Sequence, residues 1–82
     1  MKLERQAAEI IDRYTYPIAW SEDDQEYLGL CAEFPSLSWL EESPEAALVG
    51  IRNMVRDCIV DMQSNGEAIP EPMAVKSRGK EL

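Results

Sequence analysis

From Ala47 to Met62 the apolar residues Ala47, Leu48, Ile51, Met54, Val55, Cys58, Ile59 and Met62 recur at steps of three and four, while Arg52, Asn53, Arg56, Asp57 and Asp61 fall largely off that stripe. This is the pattern of one long amphipathic helix, running to about Ser64. Its start is marked by Ser43 as an N-cap, Pro44 at the first helical position and Glu45 in the first turn. Its end is marked by Asn65-Gly66, a pair suited to a left-handed C-terminal cap. Such a helix has one face to bury, so the rest of a small chain must supply a surface to receive it.

That surface is predicted from a change of period. From Tyr14 the spacing drops to two, with Tyr14, Tyr16, Ile18 and Trp20 on one side and Thr15, Ala19 and Ser21 on the other. Pro17 has no ladder donor, which predicts an edge strand, or at least a strand whose position 17 is turned away from a neighbour. "SEDDQE" carries turn chemistry. "EYLGLCAEF" is a second strand, placing Leu28, Leu30, Ala32 and Phe34 on one face and Tyr27, Gly29, Cys31 and Glu33 on the other. Pro35-Ser36 interrupts the alternation, and "LSWLE" supplies a third, shorter strand. Three strands joined by short turns form an antiparallel meander, whose apolar face the long helix is expected to cover.

Ahead of the meander, "KLERQAAEIIDR" spaces Leu3, Ala7, Ile10 and Ile11 as a helical stripe with no capping residue before it. Beyond the long helix, "NGEAIPEP" forbids renewed helix, because Pro70 and Pro72 bias Ile69 and Glu71 towards extended geometry. It reads as a junction leading to a last edge strand in "MAVKS". The expected class is α+β in the order α-β-β-β-α-β. One domain spans 1–82, with a helical extension over 1–13, a core over 14–76 and a basic tail over 77–82.

Eighty-two residues bury only about 60% of the surface of their unfolded chain, so modest stability and help from a partner or a second copy are expected. The net charge of −8 repels nucleic-acid phosphates and favours cationic partners, or else serves solubility. Cys31 and Cys58, in a chain without histidine, are too few for a four-cysteine zinc site and read as core thiols. No secretory leader and no long apolar run is apparent, so the expectation is a cytoplasmic protein without a membrane segment.

"YPIAWSEDDQEYLGLCAEFPSL", the helix start "SPEAAL" and the exit "GEAIPEP", in this order and spacing, resemble the N-terminal domains of HicB-type antitoxins over roughly residues 16–72. The chain departs from the family pattern at Glu41-Glu42-Ser43, where Gly-Asp-Thr is common, and at Ala46, where a glutamate often completes the capping box. The resemblance implies a partial ribonuclease H-like fold. It also implies a non-catalytic function: binding a small basic HicA-type toxin, an mRNA-cleaving protein, and covering its active site. Self-association into a dimer or tetramer is expected as well. Many relatives repress their own promoter through a DNA-binding module after the Pro-x-Pro exit. No such module is expected within these residues, and no direct nucleic-acid contact, since the C-terminal end offers only Lys76, Arg78 and Lys80.

Candidate toxin contacts are Glu22, Asp23, Asp24 and Glu26 in the acidic turn, with Glu41, Glu42 and Glu45 before and at the helix start, read together as a negative surface for a basic partner. The plain alternative is solvated loops. Trp39 joins them as an exposed aromatic anchor, or else it is core. A metal-dependent nuclease of ribonuclease H type needs carboxylates converging from a strand and a helix on two metal ions. "TYPIAW" holds none, and Asp24 and Asp57 are the residues such a reading would have to use. No catalytic residue, cofactor or metal site is therefore expected. A stand-alone oligomerising domain is the third reading.

Overall fold

The computed structural model describes residues 9–73. Within them a helical segment, α1 (residues 9–13), precedes three strands, β1 (Ile18–Ser21), β2 (Glu26–Leu30) and β3 (Ser38–Glu41), and the long helix α2 (Pro44–Ser64). The strands form one antiparallel sheet in the order β1-β2-β3, so the chain is α+β, with its elements in the expected order as far as α2. The part of the expected N-terminal helix that carries Leu3 and Ala7, and most of the stretch expected to form a last strand and a basic tail, lie outside the described residues.

The ends of α2 follow from local chemistry. Ser43 is extended (φ −130°, ψ 156°) and its Oγ accepts from the Ala46 N–H at 3.1 Å. Glu67 N donates to the Met62 carbonyl and Gly66 N to the Gln63 carbonyl, at 2.9 and 3.1 Å. With Gly66 left-handed (φ 74°), this is a Schellman closure that satisfies carbonyls the last turn leaves free. The four-residue row Ala47, Ile51, Val55 and Ile59 is wholly buried. Each of its three larger side chains contributes on the order of 2 kcal/mol by leaving water.

β1 is at an edge, as Pro17 suggested, although the proline does not face outwards. The Pro17 carbonyl accepts from Leu30 N at 2.9 Å and the Thr15 carbonyl from Ala32 N at 2.9 Å. Position 17 thus points at β2, where its missing N–H removes one ladder bond. Regular strand accordingly begins at Ile18, although the pairing direction extends back to Thr15.

The face that α2 covers is the one opposite Leu28 and Leu30. A Cβ on Gly29 would lie 2.6 Å from the Ala47 carbonyl oxygen and 3.1 Å from Ile51 Cγ2, so the helix backbone rests directly on β2 at that position. By strand alternation, Tyr27, Gly29 and Cys31 face α2, and Leu28 and Leu30 face away. A helix can approach closely only where the strand offers little side chain, and Gly29 with Cys31 makes that place. Phe34 also changes sides, because β2 ends at Leu30. Two successive turns, Phe34 N to Cys31 O and Leu37 N to Phe34 O, swing its ring into the core.

That core lies at the end of the sheet remote from the β1–β2 hairpin, where α2 outruns the strands. Ile11, Tyr14, Cys31 and Phe34 close around Ile51, Val55 and Ile59. The Tyr14 and Phe34 rings meet edge to face at 5.7 Å. Cys31 is buried, Cys58 is half-buried, and both are free thiols. Arg52 lies 5.4 Å over the Tyr16 ring and pairs with Asp12, holding α1 to α2.

The exit segment is part of this body. Tyr14 Oη donates to the Pro70 carbonyl at 2.7 Å, Ile69 packs against the core, and Met73 N donates to Glu33 Oε2 at 2.8 Å. "NGEAIPEP" is a strap across the core end.

Candidate interaction surface

Two stretches distant in sequence, 22–26 and 41–45, come to one end of the molecule. The register pairs Ser21 with Glu26 and Tyr27 with Glu41. The β1–β2 hairpin, the end of β3 and the N-terminus of α2 therefore share that end. Glu22, Asp23, Asp24, Glu26, Glu41, Glu42 and Glu45 are gathered there, and all but Glu26 and Glu41 are exposed. No Lys or Arg occurs between Tyr14 and Ile51; every charged side chain in that span is acidic.

The hairpin is held by its own polar groups. Gln25 takes the left-handed conformation (φ 54°), and its N–H donates to the Ser21 carbonyl at 2.8 Å. Ser21 Oγ donates to Asp24 Oδ2 at 2.8 Å, and Gln25 Nε2 donates to the Glu22 carbonyl at 2.8 Å. This is the local side-chain bonding that makes Ser and Asp turn residues. The carboxylates are thereby presented on a defined loop.

Trp39 is neither fully core nor fully exposed. Its ring lies on α2 over Gly50, where a Cβ would come within 2.0 Å of it, yet 39% of the residue is exposed. Its Nε1 donates to Glu41 Oε2 at 2.8 Å. Trp20 is built alike: edge to face with Tyr27 at 5.0 Å, it donates to Glu22 Oε1 at 2.9 Å. Trp39 and Glu41 thus lie on the helix side of the sheet.

The opposite side carries residues that the sequence patterning had assigned to the interior. The register aligns Ala19, Leu28 and Leu40 in one row across the three strands and puts Leu30 beside Ser38 in the next. Leu40 and Ala19 are exposed and Leu28 and Leu30 half-exposed. Among the described residues, α1 and α2 both lie on the other side. Glu26, two residues before Leu28 on β2, lies on this same face at the acidic end. Its signal was present in the sequence as the Leu28-x-Leu30 alternation. What was hidden is which side the helix takes.

Glu33 was also missed as a structural centre. It is 6% exposed, and its carboxylate accepts from Thr15 N at 3.0 Å, Met73 N at 2.8 Å and the Cys31 thiol at 3.5 Å. Burial alone would raise its pKa. The Met73 and Thr15 amides and the Cys31 thiol outweigh this and hold it below the ordinary 4.5. Burial is also the main cause that pushes the Cys31 thiol up. It likewise leads for the Tyr14 phenol, raised to about 12, with Cys31 and Glu33 adding to it. These groups are arranged as donors and an acceptor that tie segments together.

Among the described residues no three His, Cys, Asp or Glu side chains gather as a metal-binding group. Asp24 is in the hairpin and Asp57 is thirteen residues along α2 from Pro44, about 20 Å down the helix axis from its acidic end. Two-metal chemistry needs ions about 4 Å apart, so these two carboxylates do not share a site. No described helix is long and apolar enough to cross a membrane. No family model, curated protein or solved structure matches the chain.

Proposed function

We propose that this chain is a HicB-type antitoxin domain: a non-catalytic module that binds a small basic, mRNA-cleaving HicA-type toxin and blocks its active site. The observation that carries the reading is the convergence of residues 22–26 and 41–45 into one acidic end on an α+β meander. The ordered motifs "SPEAAL" and "GEAIPEP" point the same way. Exposed carboxylates at an interface rim steer a cationic partner and fix its orientation, adding more to association rate and specificity than to contact energy. In this reading the protein acts in the cytoplasm and self-associates, and any DNA binding in such a system belongs to a separate module.

The experiment is to mix the full chain with the small basic protein encoded by the adjacent gene. A stable complex and arrest of RNA cleavage are expected. Failure to bind at micromolar concentration overturns the reading. The open sheet face favours one further reading, a stand-alone oligomerising domain, which predicts self-association without a toxin gene beside it. A magnesium-dependent nuclease would instead cleave RNA alone and lose that activity on Asp24→Asn or Asp57→Asn.

A further inference from the structure

We propose that the open face of the sheet, centred on Leu28, Leu30 and Leu40, is the surface that seats the cationic protein partner. This rests on the antitoxin reading and adds to it which surface makes the contact. The sheet is covered by α2 on the Gly29 side, and on the other side the described residues leave an apolar row, Ala19-Leu28-Leu40, running from edge to edge. An apolar centre with a charged margin is the anatomy of a protein interface. Here Glu26 on the same face, with the hairpin acids and Glu42 at the adjoining strand ends, flanks one side of the row, so that margin is of a single sign.

That sign selects the occupant. A second copy docking face to face brings another acidic margin and no base from Tyr14 to Ile51 to meet the first; the margins either repel each other or stay unpaired. The chain's own residues 74–82 carry Lys76, Arg78 and Lys80, but only Val75 and Leu82 as branched apolar groups to set against three leucines. A basic protein with an apolar strip flanked by Lys or Arg satisfies both the centre and the margin. The exposed indoles and Glu41 lie on the other side and are not part of this contact.

The test compares the full chain with Leu40→Arg on the open face and Val49→Arg on the outer side of α2, where Val49 is 58% exposed. Binding to the basic protein of the adjacent gene is measured by calorimetry. Leu40→Arg is expected to weaken binding at least tenfold, roughly the effect of removing a central contact, with Val49→Arg unchanged. If the wild-type chain binds the toxin and Leu40→Arg binds equally well, the surface assignment falls while the antitoxin reading stands. If the wild-type chain does not bind, both fall.

A second measurement needs no toxin. In the full chain alone, the methyl groups of Leu28, Leu30 and Leu40 are expected to be relaxed by a neutral paramagnetic solvent probe, and any self-association is expected to survive Leu40→Arg. Methyl groups shielded in the whole chain but exposed after truncation at Met73 assign the face to the chain's own tail. A dimer dissociated by Leu40→Arg assigns it to a second copy. Either result overturns the proposal.

Discussion

The two faces of this sheet differ in how closely a helix can approach them. The covered face presents Gly29 and Cys31 to the helix, while the open face presents Leu28, Leu30 and Leu40. The three leucines of the open face offer apolar area that a helix could also have covered. The helix instead takes the side where its backbone can come closest, so that the row Ala47-Ile51-Val55-Ile59 packs against strand backbone and continues into the Tyr14–Phe34 cluster. Close packing along a whole helix outweighs three leucine contacts, because interiors are filled to crystal-like density and a helix held off by side chains leaves gaps.

The sharpest way to break this arrangement is Gly29→Ala. The added methyl meets the Ala47 carbonyl at 2.6 Å, and a backbone group cannot swing aside as a side-chain tip can. Either α2 lifts from the sheet or β2 bends, and the expected loss is about 3 kcal/mol, at the upper end of overpacking effects. Chemical denaturation of the two proteins measures it. A loss under about 0.5 kcal/mol would mean that α2 does not rest on β2 at this point.

Next in size is Glu33→Gln at the core end. The carboxylate accepts two backbone amides and a thiol, and an amide offers one acceptor oxygen where there were two. One buried donor is left unpaired, at a cost of about 2 kcal/mol. The pH dependence carries the sign. Glu33 is held below 4.5 when folded, so its contribution is present above that value and is lost as pH falls through the lower, folded value. The stability difference between wild type and Glu33→Gln should be flat at neutral pH and shrink below about pH 4.5. A difference independent of pH would exclude the charged acceptor as its cause.

Helix α2 was legible nearly to the residue, because Ser43-Pro44 and Asn65-Gly66 act through bonds to their own neighbours. The strands were legible as alternation. The choice of face was not, because it depends on Gly29 meeting a carbonyl eighteen residues away at Ala47, and alternation alone does not weigh close approach against apolar area. Phe34 was misplaced for the related reason that β2 stops at Leu30, where turns replace alternation. The two acidic groups were read together from their common sign, and the register from Ser21–Glu26 to Tyr27–Glu41 is the physical reason they share one end. Glu33 was read only as a strand position, since three of its partners are supplied by segments as far apart as Thr15 and Met73.

Gly50→Ala tests the covered face at its border. Alanine is better than glycine inside a helix by about 1 kcal/mol, and on propensity alone the change should stabilise the protein. The new Cβ would lie 2.0 Å from Trp39 Cδ1, so the indole must leave its seat and give up its hydrogen bond to Glu41. The expected net loss is about 1 kcal/mol, together with a red shift of tryptophan fluorescence as the ring becomes wetter. A gain in stability with unchanged fluorescence would show that Trp39 does not pack on α2.

The smallest effect is expected on the open face, and its smallness is the informative part. Leu40 is already 38% exposed and its neighbours in the row, Ala19 and Leu28, are not covered by a described element. Leu40→Ser removes an apolar group that folding has only partly taken from water, so the isolated chain should lose no more than about 0.5–1 kcal/mol. Cutting back the buried Ile51 in the same way, by Ile51→Ser, should cost several times as much, on the order of 4 kcal/mol. The ratio between the two substitutions, read from denaturation midpoints at equal slope, measures how far the two faces differ in the free chain. A Leu40→Ser loss approaching that of Ile51→Ser would mean that the open face is buried in the intact protein, and the contrast between the faces would disappear.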